Sequence, residues 1–268
     1  MGDEELREAA ANKYTFGDNL RASARLRRLA EMYEPESREL LLRSGISAPR
    51  LAVDLGCGPG WSTRLLQDVL KPERTVGLDA SAAFVEEART RHDPDLEFEV
   101  HDIVRVPFPV DAPNVMFCRF LLTHLRSLGE VLAAWAGVAA PGALLVVHET
   151  ESLETNHQVL RLYYRFVEQL QRHHGQTLHV GAVLETGFAG SGWRLLENQR
   201  RLLEKPAADM AELHLANLRT WRDDEYAQRA FDSREIAALE KSLERIAGGR
   251  EDGGIVVNAA RQIIAQRS

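Results

Sequence analysis

Cysteine is scarce. The 268-residue chain has two, Cys57 and Cys118, too few for a disulfide scaffold. Both sit inside apolar runs, which points to reduced thiols in a reducing compartment. No apolar stretch approaches the ~20 residues that cross a bilayer. The N-terminal MGDEELREAAANKY is acidic and polar, without the apolar core of a signal peptide. These absences predict a cytoplasmic protein with no membrane partner. Lysine is nearly missing, with four among the 33 basic residues, and no basic block stands out. The formal charge of −7 does not favour capture of a phosphate backbone, so no nucleic-acid partner is expected. His157, His173, His174 and His179 show no recognised ligand spacing, so no metal is expected.

What is present is ordinary for a globular chain: 44% hydrophobic and 27% charged residues. The length fits one large domain, or a domain with an added lobe. Residues 18–44 carry apolar side chains at helical spacing, with Pro35 as a break. From 50 to 150, short apolar runs (Leu51–Leu55, Val76–Leu78, Phe98–Val100, Val115–Leu122, Ala143–Val147) alternate with helical patterns near 61–70, 82–92 and 127–140. That rhythm predicts βαβ units and a parallel sheet. Beyond 150 the pattern is mostly helical, at 155–174, 207–221 and 233–247, with Trp193–Leu203 as a candidate strand.

The most informative stretch is Leu51-Ala-Val-Asp-Leu-Gly-Cys-Gly-Pro-Gly60, an apolar strand running into Gly56, Gly58 and Gly60 with a helix behind. Glycine allows positive φ and close approach of a ligand to the backbone. Ser62 and Thr63 are placed to satisfy free amides at the helix start. A second apolar strand ends at Asp79, about 20 residues on, where an acid can accept from ribose hydroxyls. A third ends at Asp102, where a carboxylate can accept from an exocyclic amine. An adenosine-bearing cofactor accounts for all three features. The spacing is G-x-G-x-G rather than the dinucleotide G-x-G-x-x-G. Asp54, two residues before the first glycine, would repel a phosphate and suit a positively charged ligand.

VDLGCGPG, GLDAS and HDI together resemble the class I S-adenosylmethionine-dependent methyltransferases over roughly residues 50–150. The resemblance implies a Rossmann-like, mostly parallel seven-stranded sheet, with an antiparallel last hairpin and helices on both faces. It implies S-adenosyl-L-methionine as cofactor, with Gly56, Gly58 and Gly60 against its methionine part and Asp54 near its amino group. Asp79 would hold the ribose, with Ala80 beside the adenine and Asp102 and Ile103 holding it. The backbone of Cys118 and the neighbourhood of Arg119 would meet the methionyl group. By the same resemblance the aromatic N-terminal segment, Tyr14 and Phe16, folds over the cofactor; ordinary packing is the other reading.

The acceptor is less legible. His124, just past the fourth strand, is one candidate base, or else a histidine satisfied at a helix start. Glu149 at the end of the fifth strand is the other, with His148 as alternate if the side-chain alternation runs the opposite way. In similar enzymes an insert such as 155–174 builds a lid, and Tyr163, Tyr164 and Phe166 are candidates to line an acceptor pocket; a helix core stripe is the plain reading. The acid-Pro-Pro-aromatic motif of nucleic-acid amine methyltransferases is absent, as are paired glutamates. The pattern is similar to the bacterial group containing ubiquinone-biosynthesis-like, trans-aconitate-like and natural-product methyltransferases.

The expectation is an α/β methyltransferase domain over 1–268. It divides into an N-terminal helical cover (1–48), a cofactor-binding core (49–150), a helical lid insert (151–192) and the remaining strands with a helical insert (193–268). The activity expected is methyl transfer to O, N or C of a small-molecule acceptor, in secondary metabolism, by a monomer or homodimer. A nicotinamide-dependent oxidoreductase and a noncatalytic cofactor-binding module are the alternatives.

Overall fold

The structure, a computed structural model, describes residues 20–268. It opens with helix α1 (Leu20–Arg43). The run Leu51–Leu55 forms β1, buried along its whole length. A strand with no wet face needs cover on both sides, and alternating helices supply it. The order continues α2 (Trp61–Leu70), β2 (Arg74–Asp79), α3 (Ala82–Arg91), β3 (Leu96–Val100), β4 (Val115–Arg119), α4 (Leu128–Val138) and β5 (Leu144–Glu154). After β5 come α5 (Gln158–His173), α6 (Leu184–Phe188) and β6 (Trp193–Pro206). Then α7 (Ala207–Trp221), α8 (Glu225–Ala230) and α9 (Ser233–Ala247) precede β7 (Ile255–Arg267).

The strands form one seven-stranded sheet in the order β3-β2-β1-β4-β5-β7-β6. β1 to β5 are mutually parallel, and β7 runs antiparallel between β5 and β6. This is the Rossmann-like sheet expected, with helical inserts after the fifth and sixth strands. Alternation along the strands splits the core into two layers. Val53, Met116 and Leu145 face Trp135 of α4. Ala52, Phe117 and Val146 face Leu40 and Leu41 of α1 and Leu66 of α2. The inserts build a third cluster, in which Tyr163, Trp221, Leu243 and Val256 pack together.

Two expectations need correction. Pro35 does not break α1, which runs through it. A proline removes the N–H that would bond the carbonyl four residues back, here that of Glu31. Lys205 on β6 braces the same turn one residue on, its Nζ donating to the Met32 carbonyl at 2.7 Å and to Glu36 Oε1 at 2.7 Å. Lys205 is 8% exposed and lies over the Tyr33 ring at 4.8 Å. Glu149 does not end β5 either. That strand runs on to Glu154 along β7, but its pairing with β4 stops at His148, opposite Arg119. Glu149 is therefore the first β5 residue beyond the end of β4.

Candidate active site

β1 lies between β2 and β4, so the chain leaves its C-terminal end where the strand order reverses, the position at which open α/β sheets bind ligands. The loop there is pinned by the Leu78 carbonyl, which accepts the amides of Gly56 (2.8 Å) and Cys57 (3.0 Å). Gly56 has φ +67°. A Cβ there would stand 2.5 Å from Leu121 Cδ1, so both the conformation and the space require glycine. At Gly60, φ is +86° and a Cβ would meet the Phe98 ring at 2.8 Å.

Asp54 is 1% exposed beneath this loop, and its Oδ2 accepts the hydroxyls of Ser62 and Thr63, each at 2.7 Å. Burial pushes its carboxyl up to about 6, against the opposing pull of those two hydrogen bonds. The hydroxyls thus hold Asp54 rather than capping α2, whose cap residue Gly60 offers no side chain. Asp79 stands at the end of β2, Oδ2 accepting from Gly58 N and Oδ1 from Ser81 N, both at 2.8 Å. Its carboxylate is thereby fixed in orientation at the lip of the loop. At the end of β3, Asp102 Oδ1 accepts from Val104 N at 3.3 Å, and the Ile103 carbonyl accepts Trp135 Nε1–H at 2.8 Å.

These groups border a cleft of about 430 Å³. Gly56, Gly58, Asp79, Ala80, Asp102, Ile103 and Arg119 all lie on its wall. Asp54, Gly60 and Cys118 do not: they support the wall from behind, and Cys118 is fully buried. Burial raises its thiol well above the ordinary range. Tyr14 and Phe16 lie outside the described residues. In the structure the cover is α1, which lays Leu26, Leu29 and Ala30 on the cleft. Ser23 on α1 donates to Glu87 on α3 and ties the cover across the opening.

The wall fits S-adenosylmethionine. Two acids stand at the strand ends where a nucleoside's hydroxyls and amine would need acceptors. Side-chain-free backbone lines the loop. The buried Trp61 Nε1–H on the cleft has no protein acceptor. A buried donor left unpaired is costly, and a polar ligand relieves that cost.

A second cavity, about 120 Å³, adjoins the cleft and shares Leu29, Phe120 and His124 with it. Phe120 forms the partition. It has φ +52°, a strained value for an aromatic residue. Neighbouring bonds hold it there. Phe120 N donates to His148 O at 3.0 Å, and Glu149 Oε1 accepts the amides of Leu121 and Leu122, each at 2.7 Å. Glu149 is fully buried on the chamber wall, its Oε2 has no partner, and burial pushes its carboxyl up to about 8. Burial drives the His124 imidazole down to about 4, opposed by the hydrogen bond it donates to Gln176. His148 faces away, its Nδ1 3.0 Å from Ser37 Oγ on α1, and lies in neither cavity.

Tyr163 and Tyr164 line the chamber. Phe166 does not; it stacks on Phe231 at 4.5 Å in the insert cluster, because its position on α5 turns toward α8. His214 on α7 completes the aromatic wall, stacked on Tyr163 at 4.2 Å with Nε2 2.9 Å from Tyr164 Oη. Sequence reading missed His214, Asn217, Asn258 and the α1 residues Arg25 and Tyr33, all on the chamber. One signal was available: Arg25, Leu29 and Tyr33 recur at four-residue spacing, which stacks them on one helix face.

Residues 52–142 match the family model described as "Methyltransferase domain". A trans-aconitate 2-methyltransferase of Methylobacterium radiotolerans is 39% identical over 124 residues, covering 46% of this chain and 47% of that protein. One from Paracidovorax citrulli is 34% identical over 137 residues, covering 50% and 52%. The chain thus spans about half the length of the curated relatives it matches. Geranyl diphosphate C-methyltransferase from Streptomyces coelicolor, solved with S-adenosyl-L-homocysteine, shares the fold: TM-score 0.52, 17% identity, 87% of this chain and 76% of that one. Residues 52–142 thus carry a methyltransferase domain's pattern, and the sheet that holds them has the fold of a solved S-adenosylhomocysteine-bound methyltransferase.

Proposed function

We propose that the chain transfers a methyl group from S-adenosylmethionine to an O, N or C atom of a small molecule bound in the chamber, acting as one methyltransferase domain. The observation that carries this is the sharing of Leu29, Phe120 and His124 between cleft and chamber. Two compartments meeting at three side chains suit a reaction whose main demand is alignment of two bound molecules. When bound, the cofactor supplies an electrophilic methyl carbon, which an acceptor lone pair attacks while the carbon–sulfur pair stays on sulfur.

The chain's own groups then divide the remaining work. Phe120 and Leu121 wall the junction and keep water from it. His124 is neutral near pH 7, because burial holds its imidazole at about 4, so it can take a proton from an acceptor hydroxyl or amine. Glu149 acts through Leu121 and Leu122, holding the turn that carries Phe120. With its carboxyl at about 8 it stays largely protonated at neutrality, a poor base and a hydrogen-bond donor through Oε2. The trans-aconitate methyltransferase relatives support a small acceptor, although their match lies mainly in the cofactor half.

Calorimetric titration with S-adenosylmethionine and S-adenosylhomocysteine is the first test. Release of S-adenosylhomocysteine with a panel of small hydroxy, amino and carboxylate acceptors is the second. Absence of binding by both cofactor forms removes this reading. Binding without turnover on any acceptor leaves the noncatalytic alternative in its place.

A further inference from the structure

The unpaired atoms on the chamber wall are mostly of one kind. Glu149 Oε2 on β5, Gln171 Oε1 on α5, Asn217 Oδ1 on α7 and Asn258 Oδ1 on β7 are buried oxygens without a protein partner. None of the four residues is more than 7% exposed. Asn258 Nδ2 already donates to Tyr33 Oη at 2.8 Å, which leaves its carbonyl to be satisfied. His214 Nδ1 is unpaired as well and takes either role with its tautomer. Buried polar groups are normally paired, and each one left bare is costly. Four acceptor oxygens from four elements call for a ligand that brings hydrogen-bond donors. An anion or a hydrocarbon brings none.

Glu149 narrows the kind of donor. Its Oε1 is already held by the amides of Leu121 and Leu122. Its Oε2 is the bare end of a fully buried acid, and a cation is the partner beside which such an acid ionises. Phe120, Tyr163 and Tyr164 add ring surface to the same wall, and ring faces attract cations.

Position agrees with chemistry. Leu121, held by Glu149, lines the cofactor cleft, and Phe120 beside it is the partition. The acid therefore serves the end of the chamber that meets the cleft. Arg25 is the one Lys or Arg on the chamber wall among the described residues, and it has a partner of its own. With Leu213 it is shared with an outer basin of about 450 Å³, and it is not on the wall of the cleft. Basic charge thus belongs to the basin side and the acid to the junction side.

We propose that the methyl acceptor is a small amine, with Glu149 Oε2 taking its ammonium and the carbonyls of Gln171, Asn217 and Asn258 taking its remaining donors. This rests on the methyl-transfer reading above. The transfer keeps the balance given there: nitrogen loses one proton to His124, its lone pair forms the bond to the methyl carbon, and the carbon–sulfur pair stays on sulfur. Glu149 then selects the acceptor by charge as well as holding the turn at the junction.

The experiment uses the full chain saturated with S-adenosylhomocysteine. Butylamine, cyclohexylamine and phenethylamine are titrated calorimetrically at pH 7, each beside the alcohol and the carboxylate of the same skeleton. Two buffers of different ionisation heat are used, so that proton release is read along with affinity. At least one amine binds about tenfold or more tighter than its alcohol and its carboxylate, as a charged hydrogen bond requires. The free amine and free Glu149 each carry a proton, and the bound pair shares a single one, so about one proton is released. No other group on the wall supplies it. Burial keeps His124 and His214 neutral, at about 4 and about 3, and raises the hydroxyls of Tyr33, Tyr163 and Tyr164, while an arginine does not titrate there.

Glu149→Gln keeps an oxygen for Leu121 and Leu122, yet it abolishes the proton release and weakens the amine about tenfold or more. Its unchanged affinity for S-adenosylhomocysteine shows that the variant is folded. Gln171→Leu weakens the amine about threefold with the proton release intact. The proposal is overturned if no amine binds, if the alcohols or carboxylates bind as tightly, if binding releases no proton, or if Glu149→Gln keeps the affinity. Failure of S-adenosylhomocysteine itself to bind the parent protein strikes the methyl-transfer reading instead, so the two failures are told apart.

Discussion

The carboxyl oxygen Oε1 of Glu149 accepts the backbone N–H of Leu121 at 2.7 Å, and Glu149 lies one residue past the point where β4 and β5 stop pairing. A side-chain carboxyl stands in for the strand that is no longer there. It satisfies two amides of the turn that carries Phe120. Glu149→Ala should therefore destabilise the fold by about 2–4 kcal/mol, the range for losing a buried hydrogen-bonding group with two partners. Glu149→Gln keeps an acceptor oxygen and should cost less. The sign of the pH effect follows from a carboxyl raised from 4.5 to about 8 by burial. Its stabilising contribution is complete below pH 4.5 and is lost as pH rises through about 8. Urea unfolding from pH 4.5 to 8 should show Glu149→Gln gaining on the parent protein as pH rises.

Histidine titration works in the opposite direction. Burial lowers the imidazoles of His148 and His214 from 6.5 to about 3. Both stay neutral in the folded chain while the unfolded chain takes up protons. Stability is complete above pH 6.5 and falls as pH drops toward 3. His148→Gln, which retains a hydrogen-bonding partner for Ser37, should flatten that fall in melting temperature between pH 6.5 and 4.

Asp79 presents a fixed carboxylate at the cleft. Asp79→Ala should weaken S-adenosylhomocysteine binding by roughly 10- to 150-fold, the equivalent of one charged hydrogen bond of about 1.5–3 kcal/mol. Calorimetry reads this directly. Unchanged affinity would contradict its place in the cofactor site.

Gly56→Ala sets a methyl group 2.5 Å from Leu121 Cδ1 and demands φ +67° of alanine. Strain of about 1–2 kcal/mol from φ alone is expected, plus the clash. Leu121→Ala in the same chain relieves the clash but not the φ. A double-mutant cycle on melting temperature should therefore show partial recovery.

His124→Gln keeps a polar side chain at the junction but removes the base. For a hydroxyl or amine acceptor, kcat should fall about 10²–10⁴-fold, with S-adenosylhomocysteine affinity unchanged. A pH–rate profile that loses its acid limb identifies His124 as the group responsible. An unaltered kcat would assign catalysis to alignment alone.

The sheet was legible because its signals are local. Leu51–Leu55, the glycines after it and the acids at Asp79 and Asp102 state strand, turn and ligand within one short stretch each. The second chamber was not, since its walls come from α1, β5, α5, α7 and β7, far apart in the chain. Periodicity shows that Tyr163, Tyr164 and Phe166 are buried but not against what; Phe231, in the second insert beyond β6, turned Phe166 away. Arg25 reads as one more surface arginine in a basic helix, and only the fold reveals that α7 closes over it. Asp54 was visible as a motif residue, yet its role depended on two hydroxyls that sequence reading had assigned to helix capping.

The bond from Lys205 to the Met32 carbonyl joins residues 173 positions apart. α1 comes before every strand, yet the donor beside its Pro35 comes from β6, while its Leu40 and Leu41 pack on the parallel half. One helix therefore ties the last hairpin to the cofactor half, and because it roofs both cavities, a change at Lys205 reaches each of them.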